Sequence, residues 1–470
     1  MAKKAQSIEH NQIPAFLKHQ DYSIRYVAGK KLRKKCPRSS HAKWKIPDNR
    51  TDTVSLTIES EITRMPELVP LRHGRMSQSP FTFYRAGAQI MAADLATTPS
   101  TNMIVQACGD AHLSNFGGFA TPERQIIFSI NDLDESLPAP WEWDVKRLAT
   151  SFVIACRHNG LNEAAARDVT HNCVQSYRER MLQFSKMKQI ELWYYLIESS
   201  TLIGNIKDFE IRKRAMKKVE KARQSRIAED IFPKLAETNG ENMFIKDQLP
   251  TIFHWEGHSP GEVHEQIKSA FADYRETLNP AHQLLLDRYE LKDAAIKVVG
   301  VGSVGTRCWV LLFMADSKDP LFLQVKQAGP SVLEPYAGKS IYPNHGQRVV
   351  NGYRIMQPAS DIFLGWTKGH GGNDFYFRQL RDMKVKIEVE TFGKTEMIIF
   401  ADWCGHALAL AHARSGNSAM ISGYLGKSDT FDNALANFAV MYADQNEEDF
   451  AVFTKAIKQG KLKAVYEEPR

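Results

Sequence analysis

The sequence predicts an α+β fold that combines a mainly helical part with a smaller antiparallel β-sheet. Two textures along the 470-residue chain support this prediction. Over residues 76–290, and again from 396 to the end, apolar residues recur mostly at the spacing of amphipathic helices. Over residues 291–395, β-branched and aromatic runs alternate with turn residues, as is typical of strands. A chain of this length is large enough for two lobes.

The helical elements have identifiable boundaries. Residues 1 to about 75 are basic and are expected to be irregular. An apolar helix is expected to open at Asp144 and to end before Asn159 and Gly160. The other helices are expected at residues 81–95, 162–200 (as one helix or two), 205–231, 267–289, 347–357 and 402–414, with further helix to the C-terminus.

The strands are expected in two groups. A first hairpin is formed by residues 116–120 and 125–130, joined by the turn sequence TPER. The second group contains runs at residues 296–300, 307–313 and 321–326, a hairpin of 362–367 with 374–380, and a segment at 385–392 that extends the sheet. The glycine-rich turn 300–305 separates the first two of these runs.

The composition is that of a soluble globular protein, with 43% hydrophobic and 24% charged residues. The longest apolar run, Cys308 to Ala315, is too short to cross a bilayer, so we expect no membrane partner. The N-terminal residues lack the apolar segment of a secretory signal. The six cysteines form no Cys-x-x-Cys pair and are too few for a disulfide scaffold. We therefore expect a cytoplasmic protein.

The net charge of +7 is concentrated in two basic runs, at residues 30–35 and 207–226. One interpretation is a patch that binds nucleic acid or an anionic membrane. The other is a solvated surface, or a cationic rim that attracts an anionic substrate such as ATP. No aromatic residues are interleaved with the basic ones and no nucleic-acid-binding motif is present, which favours the second interpretation.

The most informative motif is the heptapeptide GDAHLSN at residues 109–115. An Asp followed five residues later by an Asn is the spacing of a phosphotransferase catalytic loop. Asp110 can accept a proton from a hydroxyl or orient it, and Asn115 offers a neutral oxygen to a magnesium ion. The alternative is ordinary loop polarity, because these residue types also populate turns.

A second acidic cluster, the sequence NDLD at residues 131–134, follows the first hairpin. Because a hairpin folds back on itself, it is expected to bring Asp110 and Asn115 close to Asp132. Carboxylate and amide oxygens are the ligands that divalent metal ions such as Mg²⁺ prefer. Asp132 is therefore a candidate metal ligand, and Asp134 is a candidate for a second one.

The third motif is the turn GVGSVG at residues 300–305, followed by a strand that contains Lys326. A dinucleotide-binding fingerprint would lead from a strand into a helix, whereas this turn lies between two strands. Strand, glycine-rich turn, strand, and a strand with a Lys are the parts of a nucleotide-covering lobe. Gly300, Gly302, Ser303 and Gly305 would approach the phosphates, and Lys326 would neutralise them. The alternative is a tight β-turn beside a surface lysine.

Together these motifs resemble the protein-kinase-like superfamily, and most closely its aminoglycoside and choline phosphotransferase branch. The resemblance to the catalytic loop rests on Gly109, Asp110, His112 and Asn115, and Asp132 matches the metal-binding Asp. It implies that Asp144, at the start of a helix, braces the catalytic loop. From roughly residue 70 onward, the chain resembles an uncharacterised bacterial family, domain of unknown function 2252.

The order of the motifs differs from that of an ordinary kinase. The glycine-rich turn and Lys326 follow the catalytic loop, and the helix at 403–414 resembles the one that normally precedes it. This order implies a circularly permuted, two-lobed kinase-like fold. Its parts would be a basic N-terminal extension (1–75), a helical lobe with the catalytic loop and metal motif (76–290), a β-rich nucleotide-binding lobe (291–395) and C-terminal helices that complete the helical lobe (396–470).

Several further residues are candidates for the site. Glu334, eight residues after Lys326, is available as its partner, and Gln347 or Arg348 can face the nucleotide. His112 can contact phosphate or substrate, or brace the loop. A further possibility is an anion site lined by three arginines ahead of the loop, namely Arg72, Arg75 and Arg85.

The sequence thus predicts an ATP- and magnesium-dependent phosphotransferase in which Asp110 and Lys326 are catalytic. The acceptor, a small molecule or a protein that carries a hydroxyl, is left open, as is the oligomeric state. Two alternatives are an enzyme that transfers AMP with the same parts and a nucleotide-binding regulatory or scaffold protein with little turnover. Nucleic acid is not the expected partner.

Overall fold

The computed structural model describes residues 20–225, 227–239, 242–254, 269–380, 383–385 and 387–467, and over these residues the fold is α+β, as predicted. The helices are α1 (Tyr22–Leu32), α2 (Thr53–Glu59), α3 (Val69–Met76), α4 (Pro80–Ala86), α5 (Ala88–Leu95), α6 (Trp141–His158), α7 (Glu163–Phe184), α8 (Gln189–Tyr194), α9 (Ser199–Gly204), α10 (Phe209–Gln224), α11 (Phe232–Leu235), α12 (Pro280–Leu286), α13 (Glu334–Ala337), α14 (His345–Met356), α15 (Lys394–Ser415), α16 (Ser418–Leu425) and α17 (Thr430–Lys458). Residues 269–275 are also helical.

The strands form one larger sheet and three two-stranded ladders. They are β1 (Ile104–Ala107), β2 (Phe116–Ala120), β3 (Ile126–Ile130), β4 (Leu137–Pro140), β5 (Ala236–Asn239), β6 (Asn242–Ile245), β7 (Ile252–Phe253), β8 (Glu290–Lys297), β9 (Cys308–Met314), β10 (Pro320–Ala328), β11 (Gly365–Lys368) and β12 (Asp374–Gln379). The larger sheet is antiparallel and has the order β11-β12-β10-β9-β8-β7. The ladders are β1-β4, β2-β3 and β5-β6.

The central position of β10 places Lys326 inside the sheet. Lys326 lies opposite Tyr376 of β12 and opposite Cys308 of β9. The helix α14 packs across β10, β11 and β12. Asn344 caps α14, because its side chain accepts a hydrogen bond from the Gln347 amide at 3.0 Å, and it donates to Asp374 of β12 at 3.0 Å. The cap therefore fixes both the start of the helix and its place on the sheet.

The core of the helical part is built from α6, α7, α15 and α17. Trp141 at the start of α6 stacks on Tyr177 of α7 with a centroid separation of 5.7 Å. Burial of such large apolar surfaces is the main force that holds these helices together. The expected helix that contains Asp144 is α6, and it ends at His158 before Gly160, whose φ of 75° suits only glycine well.

The first 75 residues are not irregular where the structure describes them, because α1, α2 and α3 lie there. Residues 1–19 of the expected extension lie outside the described residues. The helix α1 packs on α16, and Arg33 donates to the carbonyls of Gly423 and Tyr424 at 2.6 and 2.8 Å. Arg38 donates to the carbonyl of Leu425. These basic side chains thus cap the C-terminus of α16.

Two other expectations were wrong in their details. The helix expected at 81–95 is interrupted at Gly87, which ends α4 and begins α5. The segment 385–392 does not extend the large sheet in its described residues. Instead, the Val385 amide donates to Gly118 of β2 at 2.9 Å, and Val389–Thr391 form a 3₁₀ turn. Lys386 lies outside the described residues.

The helix expected at 267–289 is interrupted in its described residues, because 269–275 are helical and Asn279 caps a separate helix, α12. Most of the other elements follow the predictions with shifted boundaries. The stretch 162–200 contains α7, α8 and the start of α9, and the helix expected at 205–231 is reduced to α10 followed by a π-helical turn, Ile227–Ile231. The expected strands and hairpins at 116–130 and 362–380 are present. All six cysteines are free and buried. No helix in the described residues is long and apolar enough to span a membrane.

Candidate functional site

The loop 108–115 between β1 and β2 is held by the carboxylate of Asp144. The amides of Cys108 and Gly109 donate to its two oxygens at 2.6 and 3.0 Å. Gly109 has a φ of 80°, and a Cβ there would lie 2.5 Å from the carbonyl oxygen of Glu135, so only glycine fits. His412 of α15 lies 3.1 Å from the same carboxylate. Asp144 therefore holds the backbone at the base of this loop.

Asp110 is held by Arg147, which lies one helical turn after Asp144 on α6. Arg147 Nε donates to Asp110 Oδ1 at 2.7 Å, and Nη2 donates to the same oxygen. Arg147 is almost fully buried, whereas the side chain of Asp110 is 22% exposed. Asp110 Oδ2 lies 3.7 Å from His112 Nε2. One carboxylate oxygen is thus fixed by the guanidinium, and the carboxylate remains partly accessible.

The hairpin β2-β3 brings the two acidic segments together. Phe116 is paired with Ile130, and beyond this pair the Asn131 amide donates to the Asn115 carbonyl at 2.7 Å. The side-chain amide of Asn115 donates to the carbonyl of Asp110 at 2.8 Å. Asn115 is therefore bonded to the Asp110 loop on one side and lies next to the segment that contains Asp132 on the other.

Lys326 reaches from the centre of the sheet to the acidic segment 131–134. Its ammonium group donates to Asp134 Oδ2 and lies 3.7 Å from Asp132 Oδ2. The Tyr376 hydroxyl donates to the other oxygen of Asp134. Both oxygens of Asp134 therefore already accept a hydrogen bond. This arrangement favours Asp134 as the ion-pair partner of Lys326, rather than the second metal ligand that the sequence suggested.

The two carboxylates have pKa values that are shifted in opposite directions. Burial raises the pKa of Asp132, and the charge of Asp134 raises it further. Burial acts on Asp134 in the same direction, but the Lys326 ammonium and the hydrogen bonds from Lys326 and Tyr376 outweigh it and lower the Asp134 pKa to about 2. Burial lowers the pKa of Lys326, but both carboxylates outweigh this effect and raise it.

The segment 131–136 is also tied to α14 by Arg348. The guanidinium donates to the carbonyls of Asp134 and Ser136, both at 2.8 Å. Glu334, the expected partner of Lys326, instead lies 3.8 Å from His345 Nδ1. Helix α14 therefore contributes an arginine that binds the acidic segment. The carboxylate that pairs with Lys326 comes from the acidic segment and not from Glu334.

The glycine-rich turn 300–305 connects β8 to β9. Gly300 and Gly305 have φ values of 63° and 87°, in the left-handed region that glycine occupies without strain. The turn is held by its carbonyls, because the Met65 amide donates to Gly305 and Arg75 donates to Gly300, both at 2.7 Å. Residues near the end of the expected N-terminal extension thus position the turn.

A cleft of about 830 Å³ lies between the glycine-rich turn, β10 and the acidic segment. Its lining includes Gly300 and Ser303 of the turn, Lys326 of β10, and Asn131 and Asp132. Lys297, at the end of β8, and Arg378 of β12 also line it. The cleft therefore brings the glycine-rich turn, the lysine and one of the acidic residues to a single cavity of the size that small-molecule sites have.

The ligands for a magnesium ion can be tested against the geometry. Among the described residues, no group of three or more His, Cys, Asp or Glu side chains could hold a metal ion. However, Mg²⁺ is commonly bound by one or two protein oxygens together with substrate phosphates and waters. Asp132 Oδ1 is buried and has no hydrogen-bond partner within the described part of the chain. Asp132 fits a site of that kind together with Asn115, whose carbonyl accepts the amide of the residue before Asp132.

A family model described as "Uncharacterized protein conserved in bacteria (DUF2252)" matches residues 64–456. The chain belongs to the DUF2252 family. No curated protein and no solved structure matches it. The matched range contains every candidate residue named above, so the site lies within the family's domain.

The sequence did not point to several residues of this DUF2252 site, among them Arg147, His412 and Tyr376. Arg147 binds Asp110, and its spacing from Asp144 on one helix was an available signal. His412 is a buried polar residue in an Ala- and Leu-rich helix, and Tyr177 Oη lies 2.9 Å from its Nδ1. Tyr376 lies in strand β12, and nothing in the sequence around it indicates that its side chain contacts Asp134.

Proposed function

We propose that this DUF2252 protein is an ATP- and magnesium-dependent phosphotransferase with a permuted, two-lobed kinase-like fold. The observation that carries the proposal is the position of Lys326. Its ammonium lies 3.7 Å from Asp132 and is paired with Asp134, in a cleft that the glycine-rich turn also lines. In a nucleotide site of this kind, the lysine and the metal-binding Asp must reach the same phosphates.

The phosphates of ATP would lie between the glycine-rich turn and Lys326. The absence of a Cβ at Gly300 leaves the turn open to ligand, because nothing lies within 4 Å of the position where that Cβ would be. Lys326 would share its charge between Asp134 and the phosphate oxygens. Asp132 and Asn115 would hold Mg²⁺, which neutralises phosphate charge when it is bound.

Asp110 would orient the hydroxyl of the acceptor toward the transferred phosphate. Arg147 fixes one of its oxygens, and Asp144 fixes the backbone of the loop that carries it. A carboxylate that is held by a guanidinium is suited to positioning. We therefore assign most of the rate enhancement to orientation and charge neutralisation.

The test is to incubate the purified protein with ATP and Mg²⁺ and to measure nucleotide binding and the products released. Wild type is compared with Asp110→Ala, Lys326→Met and Lys318→Met, the last being an exposed lysine in the β9–β10 turn that serves as the control. We expect ADP release by wild type and Lys318→Met, with at least about a hundredfold loss in the other two variants.

The other outcomes separate the alternatives. Release of pyrophosphate with AMP attached to protein or acceptor would indicate AMP transfer. Tight ATP binding without turnover in any condition would indicate a regulatory or scaffold role. If ATP does not bind, or if Lys326→Met binds and turns over ATP as wild type does, the kinase-like interpretation is wrong.

A further inference from the structure

The three arginines ahead of the catalytic loop differ in what they bind. Arg72 is paired with Glu61 at 2.5 Å, and Arg75 is paired with Glu467 at 2.7 Å. Arg85 forms no ion pair in the part of the chain that the structure describes, and its Nε is buried without a hydrogen-bond partner there. The guanidinium lies over the ring of Phe81 at 5.6 Å, and the carboxylates of Glu390 and Asp110 act on it from beyond ion-pair distance. A partly buried guanidinium that no carboxylate contacts directly is suited to bind an anion.

Arg85 lies where the glycine-rich turn meets the catalytic loop. The carbonyl of Tyr84, the preceding residue, accepts a hydrogen bond at 3.2 Å from Arg147 Nη2, the same nitrogen that binds Asp110. On the other side, a Cβ at Gly302 would lie 3.2 Å from the carbonyl oxygen of Arg85. The backbone of Arg85 is therefore in contact with the turn and one residue from the Asp110–Arg147 pair.

His112 supplies a second unused polar group near Arg85. The side chain is 4% exposed, and its Nδ1 is buried with no hydrogen-bond partner among the described residues. The charge of Arg85 acts on His112, so the two side chains share one electrostatic environment. An imidazole nitrogen that carries a proton can donate a hydrogen bond to an anion, and the unpartnered Nδ1 is available for one.

Arg85 does not line the cleft that contains Lys326. Its lining includes Gly300, Ser303 and Asp132, but neither Arg85 nor Asp110 nor His112. Asp110 is one of the two carboxylates whose charge acts on the Arg85 guanidinium, which associates this side chain with the Asp110 side of the junction, where the acceptor hydroxyl would be held.

We propose that Arg85 and His112 form an anion-binding subsite for the acceptor, and that the acceptor carries a carboxylate or phosphate group near its reactive hydroxyl. The assignment of this anion to an acceptor rests on the proposed function, but the anion subsite itself does not require ATP to bind. The rival source of the anion is the γ-phosphate of the nucleotide, because the glycine-rich turn also contacts Arg85.

The experiment uses inorganic phosphate as the probe, titrated by calorimetry into the full chain at constant ionic strength. Wild type is compared with Arg85→Gln, Arg85→Lys and the control Arg180→Gln, whose side chain donates to Gln183 in its own helix. We expect Arg85→Gln to weaken phosphate binding at least about tenfold and Arg85→Lys to weaken it less, since it keeps the charge. Arg180→Gln should match wild type.

The titration is repeated with the nonhydrolysable ATP analogue AMP-PNP at saturation. Phosphate binding that depends on Arg85 and persists beside the analogue supports the acceptor subsite. Competition between phosphate and the analogue would assign Arg85 to the γ-phosphate and overturn the proposal.

The first titration can also overturn the proposal. It would do so if wild type did not bind phosphate, if wild type and Arg85→Gln bound it with equal affinity, or if Arg85→Gln and Arg180→Gln lost affinity equally. Failure of AMP-PNP to bind contradicts the proposed function alone, because the first titration still reports on Arg85.

Discussion

His412 and Asp144 are in contact within the core of the helical part, with 3.1 Å between His412 Nε2 and Asp144 Oδ2. Both side chains are almost fully buried. Asp144 also accepts the amides of Cys108 and Gly109, so a single carboxylate joins α6, α15 and the loop that carries Asp110. The loop conformation is therefore tied to helix packing.

Asp144→Ala should destabilise the protein by roughly 3 kcal/mol, because two buried amides and one histidine lose their partner. Asp144→Asn, which keeps one acceptor oxygen, should cost less. Urea denaturation followed by circular dichroism measures both. Asp168→Ala is the control, since Asp168 is exposed on α7 and its pair with Lys394 is a surface one. A loss in Asp144→Ala no larger than in this control would contradict the bracing role.

The pair of Lys326 with Asp134 predicts a pH dependence. The pKa of Asp134 is lowered to about 2, so its charge stabilises the folded state above the unfolded pKa of about 4. That contribution, on the order of 2 kcal/mol, is lost as the pH falls from about 4 to 2. Wild type should exceed Asp134→Asn in stability at pH 7, and the difference should shrink toward zero at pH 2.

Melting temperatures of wild type and Asp134→Asn across this range check the prediction. Asp273→Asn is the control, because Asp273 is an exposed residue of the helical segment 269–275. A stability difference between wild type and Asp134→Asn that stayed constant from pH 7 to pH 2 would show that the ion pair does not contribute as described.

The sequence predicted those parts of the site that depend on local spacing. The 109–115 motif, the β2-β3 hairpin and the start of α6 are each encoded within about twenty residues, so turn residues and helix periodicity were enough to place Asp110, Asn115 and Asp144. Lys326 became a candidate because the strand pattern around the glycine-rich turn is also local.

The parts that were missed depend on long-range packing. Lys326 and Asp134 are 192 residues apart, and which carboxylate receives the ammonium is decided by how β10 meets the acidic segment. In α1 the buried residue is Gly29, and the apolar residues of the helix have only a weak helical spacing. The sequence of this segment therefore did not indicate a helix. Its position is set by contacts with α16, nearly four hundred residues away.

Arg147 and Asp110 should act as a unit. Each single variant, Arg147→Met and Asp110→Ala, should lower ADP release strongly, and the double variant should be little worse than either one, because the arginine acts by positioning the carboxylate. The coupling free energy between the two positions, measured by denaturation of all four proteins, should be about 1–3 kcal/mol. Additive losses in both measurements would mean that the two residues act independently.

Gly300 and Gly160 offer a matched pair for testing the glycine-rich turn. Both have a positive φ, 63° and 75°, and at both a Cβ would have nothing within 4 Å. Alanine at either position should therefore cost the same strain, about 1 kcal/mol of stability. Only Gly300 lines the cleft, so only Gly300→Ala places a methyl group against the phosphates of a bound nucleotide. ATP affinity, measured by calorimetry, should fall several-fold in Gly300→Ala and stay at the wild-type value in Gly160→Ala. Equal ATP affinities in the two variants, with equal losses of stability, would show that the turn is a structural β-turn and does not cover the nucleotide.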